Sequence, residues 1–445
     1  MIKLTLTTGI PKTQKITAAI VILTIALVGT IILSNSHASS PYASVGADKG
    51  TLAGGAISQN CSGSTDGNCV TFQGVNTKCT STYSSMSLQT VINNAKAGDT
   101  ICLNTGNYSG GVVGAQFSSP VTITAAPGQS PTIAQLMFVG ASNIYLNGLT
   151  LNGGLVGGSR TDSSQIATHI HFKNIRFTGG LLVYTPSNSS QDTLIQNSSF
   201  TNVGQASYEG RLSIVGNNNT ASNGVVIDGN IFGNSSGTDT GASDGIDINV
   251  TYGTVIENNQ FLNIVESACG AVHCDSIQPL GDSNTTITGN YFYNDSTDIA
   301  VFDGGTVNPT IINNVIISTG YPGEIYLAGD GGKATIVHNT IVGSVKFCYD
   351  SGGIQCNTDS KPNTGITLRD NIITQGITAI GSPSYTQNDY NLTSSGVSPN
   401  GIVGTPTFVG GTNPQTWAGF ALSTSSLGHL KASDGKDMGA TSFGP

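Results

Sequence analysis

The chain has 445 residues, enough for two or three compact domains or one elongated one. Only 9% are charged, while Ile, Val and Leu are plentiful, which excludes disorder driven by charge repulsion. A formal net charge of −9 excludes nucleic acid as a partner, because phosphate binding needs a basic surface.

Lys3, Lys12 and Lys15 precede an uncharged apolar run, Ile16 to Leu33, and Ser36-His37-Ala38 is a small-x-small cleavage pattern. Residues 1–38 read as a secretory signal peptide. The run just reaches spanning length, so an uncleaved membrane anchor is the alternative. Either way the rest of the chain is expected to be secreted or held on the extracellular face of the membrane. Loss of residues 1–38 removes three of the 16 basic residues and none of the 25 acidic ones, taking the net charge to −12. Such a surface suits a polyanion only where a cation or a local basic residue intervenes.

Residues 39–79 are rich in Ser and Gly and read as a linker or a small disulfide-stapled extension. The eight cysteines, Cys61, Cys69, Cys79, Cys102, Cys269, Cys274, Cys348 and Cys356, are an even number in an exported chain and point to disulfides. Sequence neighbours suggest Cys61 with Cys69, Cys269 with Cys274 and Cys348 with Cys356, leaving Cys79 with Cys102. The cysteines are scattered and form no CxxC, which disfavours zinc.

"SLQTVINNAKAGDTICL", from Ser87, reads as a capping helix and a first strand. Leu88, Val91, Ile92 and Ala95 share one helical face, and Gly98-Asp99 ends the helix.

One phrase then recurs: apolar, any residue, Gly or Asn, Asn, any residue, Phe or Ile. It appears as "IDGNIF" from Ile227, "IENNQF" from Ile256, "ITGNYF" from Ile287, "IINNVI" from Ile311, "IVHNTI" from Ile336 and "LRDNII" from Leu368. Weaker copies start at Leu146, Phe172 and Ile195. Successive starts are 23 to 32 residues apart, the signature of a solenoid with loops of differing length. Alternation and Ile, Val, Thr and Phe enrichment make each unit a set of strands. The repeated Asn falls at a bend, where it can adopt the left-handed conformation and hydrogen-bond to the next coil.

The strand before the phrase holds most of the polar chemistry. Leu212, Ile246, Ile277, Ile299 and Ile325 form an apolar column expected to face inward. By period two, Ser213, Asp247, Gln278, Ala300 and Tyr326 face outward, as do Arg211, Gly245, Ser276, Asp298 and Glu324 before them. Asp244 and Asp275 align at the strand entrance, about 5 Å apart on adjacent coils. Arg211, Asp244, Asp247, His273, Asp275, Gln278 and Asp298 thus form an arc, with Asp282 and Asp303 in the turns beyond. The arc suits a linear polymer lying across the coils. The alternative is that Asp244 and Asp275 only satisfy backbone groups at corners. His169 and His171 share a strand face without a neighbouring carboxylate in sequence, and read as ordinary polar residues on an exposed strand.

The cap and first coil, "SLQTVINNAKAGDTICLNTGNYSG", and the tail from "NDYNLTSSG" to "KDMGA" resemble the right-handed parallel β-helix proteins of the pectin-lyase-like superfamily. The likeness covers about residues 80–445. It implies an all-β fold, a single-stranded right-handed parallel β-helix with a short N-terminal capping helix and a closing C-terminal segment, and a monomer. That fold hosts lyases, hydrolases, epimerases and adhesins, so activity has to be argued from the site.

Three functions fit the arc, all with a polysaccharide or cell-surface glycan as partner. In a uronide lyase, as in related β-helix lyases, Ca²⁺ would neutralise the substrate carboxylate. Asp244, Asp247 and Asp275 would hold it, Arg211 or His273 would act as base, and Asp247, Gln278, Asp298 and Tyr326 would bind substrate. In a glycoside hydrolase, Asp244 and Asp275 would supply the two carboxylates. Here "SDGIDIN" and "HCDSIQ" resemble the "NTDGID" and "DDC" segments of polygalacturonases. Cys274 departs from that pattern, and the family's later His-Gly and Arg-Ile-Lys motifs have no counterpart. The third function is adhesion without catalysis.

Overall fold

The computed structural model describes residues 56–60, 68–72 and 78–442, except 187–189, 270–273, 302–305, 319–324, 328–331, 348–362, 380–382 and 397. Residues 1–38 therefore lie outside the described residues, as do Cys61, His273, Asp303, Glu324, Cys348 and Cys356. No described helix is long and apolar enough to cross a membrane. The chain divides into two compact units, Met1–Thr77 and Lys78–Pro445. In the first, Ala56–Asn60 pairs antiparallel with Asn68–Phe72.

The second unit is a right-handed parallel β-helix. Its first face stacks thirteen strands in chain order, from Ser81–Tyr83 to Tyr385–Asp389, all parallel. The nine phrase starts read from the sequence form one unbroken register on this face. Leu146 pairs with Phe172, then in turn Ile195, Ile227, Ile256, Ile287, Ile311, Ile336 and Leu368. All nine are buried. Their alternation with polar residues is what a strand with one wet face requires.

The phrase then turns a corner, and its third and fourth positions divide the labour. The third residue takes the left-handed conformation: Gly229, Asn258, Gly289, Asn313, His338 and Asp370 all have φ between 54 and 67°. In these six copies the fourth is a buried Asn. Asn230, Asn259, Asn290, Asn314, Asn339 and Asn371 each donate their amide to the side-chain oxygen of the next rung at 2.9 to 3.1 Å, ending on Asn391. The same amides donate to a backbone carbonyl of the preceding coil, such as Ile256 O from Asn290. Buried backbone carbonyls at the corner thereby gain donors that no ladder supplies.

The phrase ends on the second face, where Phe177, Phe200, Phe232, Phe261 and Phe292 stack with ring centroids 4.2 to 5.0 Å apart. The third face carries Gly210–Gly216, Asp244–Asn249, Asp275–Leu280, Thr297–Val301, Ile325–Leu327 and Ser344–Phe347 in parallel register.

The helix Leu88–Asn93 buries Leu88, Val91 and Ile92. Cys79 is bonded to Cys102, and Cys269 to Cys274, both as neighbour spacing suggested. Cys69 lies in a strand described by its backbone alone. The C-terminal segment runs back along the second face rather than ending as a plug. Trp417 stacks on Tyr291 at 5.5 Å, Ser433 binds Asp370, and Thr441 N–H donates to Asn313 Oδ1 at 2.6 Å.

Candidate functional site

On the third face the apolar column holds: Leu212, Ile246, Ile277, Ile299 and Ile325 are in register and buried. The next column, Ser213, Asp247 and Gln278, is also in register. The column before it is not outward. A Cβ on Gly245 would sit 3.1 Å from the Phe261 ring and 2.4 Å from Ser276 O, so Gly245 faces the core. Arg211 reaches Phe200 O on the same side, and Ser276 is fully buried near Asp295. Two successive residues, Gly245 and Ile246, therefore turn inward, a bulge-like break of period two. Asp298 belongs to this inward column and is fully buried.

Arg211 is consequently no base. Its guanidinium donates to Asp239 Oδ1 at 2.9 Å, Ser243 O at 2.7 Å, Asp244 O at 3.1 Å and Phe200 O at 3.3 Å. A charge buried at this depth needs such partners, and they occupy four of its five donors.

The inward turn at Gly245 leaves Asp244 beside Asp247 on the outer side. Asp244 and Asp275 stack as expected: Asp275 N–H donates to Asp244 Oδ1 at 2.8 Å. Gln278, in the amide orientation its neighbours require, donates to Asp244 Oδ2 at 2.7 Å and to Glu209 Oε2 at 3.1 Å. Glu209 is exposed, whereas Asp244, Asp247, Asp275 and Gln278 are buried. Glu209 heads the strand "EGRLSI" but stands outside the two period-two columns, which is why column counting passes over it.

Asp247 is 2% exposed and its Oδ1 has no hydrogen-bond partner. Burial, and secondarily the charge of Glu209, pushes its carboxyl up to about 7. The cluster therefore holds one carboxyl protonated near neutrality beside another in water. Asp282, in the following turn, accepts from Thr306 and is pushed by burial up to about 6.

The Ca²⁺ set Asp244, Asp247 and Asp275 does not assemble. Among the described residues no three His, Cys, Asp or Glu side chains converge as metal ligands. The groups that do meet are two carboxylates, Glu209 and Asp244, bridged by the Gln278 NH2, a donor that cannot ligate a cation. The expected open row also fails at Tyr326, which continues the column beyond Ala300 but is fully buried. The histidine pair, by contrast, does meet a carboxylate. Asp192 Oδ2 lies 3.3 Å from His171 Nε2 and 3.7 Å from His169 Nε2, so a distant carboxylate does face the histidine pair. Tyr145 stacks on His171 at 4.2 Å, and burial lowers the pKa of His171.

Fold and site together define a parallel β-helix with an acidic, amide-bridged cluster on its third face. No family model matches the sequence, and no curated protein matches it. Solved structures of similar fold include a PL6 family alginate lyase, AlyGC, at 15% identity and TM-score 0.46, over 82% of this chain and 57% of that one. The chain thus spans less than two thirds of that lyase. Pectate lyase Pel9A is similar at 14% identity and TM-score 0.43, over 81% and 96% of the two chains. The surface adhesin PfbA of Streptococcus pneumoniae is similar at 13% identity and TM-score 0.40, over 74% and 86%.

Proposed function

We propose that this chain is an exported, carbohydrate-active β-helix protein that cleaves a polysaccharide by paired-carboxylate acid–base chemistry at Glu209, Asp244, Asp247 and Gln278. The carrying observation is the contrast between Asp247, buried with a free Oδ1, and the exposed carboxylate of Glu209 beside it. Carboxyl pairs whose surroundings split their pKa values divide naturally into acid and base. Asp247 donates its proton to the leaving glycosidic oxygen, and Glu209 activates the water that replaces it. Gln278 holds Glu209 and Asp244 together, and Asp244 is in turn fixed by Asp275 N–H.

β-Elimination on a uronide is the competing chemistry. It needs a base where Arg211 is locked in an ion pair, which leaves His273 to carry it. Incubation with a panel of polysaccharides decides between them: new reducing ends without the ultraviolet absorbance of an unsaturated uronide identify hydrolysis. Binding without turnover would leave an adhesin. Asp247→Asn and Glu209→Gln are each expected to lower turnover by about 100-fold or more, and full activity in both would move the site elsewhere.

A further inference from the structure

A cavity of about 440 Å³ opens where the strands Thr150–Val156 and Arg176–Thr185 turn from the second face to the third. A bulge marks the corner: Leu151 pairs with Phe177 but Asn152 with Gly179, leaving Thr178 unmatched. Bulges of this kind recur beside binding sites because they re-aim the strand. The floor is backbone, from Gly153, Gly154, Gly179 and Gly180. A Cβ on Gly180 would come within 2.6 Å of Ala206 Cα, so the glycine lets the wall at Gln205, Ala206 and Ser207 approach. Main chain rather than movable side chains sets the shape, and the cavity is preformed.

Its lining is chemically distinct from the acidic cluster. Among the described residues no ionisable side chain contributes to it. Three amides, Gln135, Asn152 and Gln205, stand exposed on its rim. Met137, Leu155 and Leu182 form an apolar row in one register across three coils. That row continues directly into Ser213 and Asp247, two rungs or about 10 Å beyond Leu182.

We infer that this cavity binds an uncharged sugar unit of the polymer, so that the polymer is not a homopolymer of uronates. The inference rests on the polysaccharide reading of the Asp247 cluster. A uronate carboxylate in the cavity would lose water with no cation to replace it. A neutral sugar offers an apolar C–H face to Met137, Leu155 and Leu182, and hydroxyls to the three amides, which can each donate and accept.

The test is calorimetric titration of Asp247→Asn protein, which does not consume the probe, with cellohexaose, mannohexaose, xylohexaose and chitohexaose, and with hexagalacturonate and hexaguluronate. At least one neutral hexasaccharide is expected to bind, and Asn152→Ala with Gln205→Ala to weaken it about 10-fold or more, the scale of one or two lost hydrogen bonds. Both residues are exposed, so the fold survives, and an unchanged melting curve verifies this. Binding of uronate hexamers alone, or neutral binding indifferent to the double variant, overturns the cavity's role. The polysaccharide reading then still stands on loss of cleavage in Asp247→Asn. Absence of binding to any hexasaccharide overturns both.

Discussion

The Arg211 guanidinium lies 2.9 Å from Asp239 Oδ1, with both side chains 1% exposed. A pair this deep is costly to break from one side, because the survivor keeps its charge without its partner. Arg211→Ala and Asp239→Asn are each expected to lower unfolding free energy by about 3–5 kcal/mol in urea denaturation. An Arg211→Ala protein of normal stability but without activity would return Arg211 to the reaction.

Burial pushes the Asp247 carboxyl of the folded chain from its ordinary 3.8 up to about 7. The folded state therefore holds more protons between these values, and its stability falls as pH rises through them. The contribution is complete below 3.8 and lost above about 7. Asp282 and Asp295, raised to about 6 and about 7, act in the same direction. Cleavage that needs the Asp247 proton should decline over the same alkaline limb. Asp247→Asn should remove part of the stability loss between about pH 4 and about pH 7. A constant difference between variant and wild type across that range contradicts the assignment.

Asn290 sits mid-ladder. It takes hydrogen bonds from the backbone N–H and side-chain amide of Asn259, and gives its own amide to Asn314 Oδ1 and Ile256 O. Asn290→Ala strands several buried groups at once, each costing about 1–3 kcal/mol. A loss of about 2 kcal/mol or more is expected by chemical denaturation. A loss below about 0.5 kcal/mol would mean that water or a backbone shift re-satisfies the corner.

Much of this was legible from residue types alone. The phrase starts from Leu146 to Leu368 mark one register because a core column tolerates only apolar side chains, whatever the loops do. The Asp244–Asp275 stack follows from the same counting. Counting fails where the backbone leaves its period. Arg211 and Asp298 read as outward because a local inward turn has no side-chain signature beyond Gly245, and glycine has many uses. Glu209 joins the cluster through Gln278, a contact from two coils away in sequence. Asp192 meets His169 and His171 in the same way, across a stacking step that local reading does not span. The glycine-floored cavity is the extreme case, since main chain shapes it.

The inward turn at Gly245 can be tested by itself. A methyl group there would press on Ser276 O at 2.4 Å and on the Phe261 ring, in the middle of the phenylalanine stack. Neither neighbour is free to retreat, since one is ladder backbone and the other is packed between Phe232 and Phe292. Gly245→Ala is therefore expected to cost about 1–3 kcal/mol. Gly237, where a Cβ would meet nothing within 4 Å, is the control, and Gly237→Ala should change stability by less than about 0.5 kcal/mol. Equal stability of the two variants would return Gly245 to the outer side of its strand.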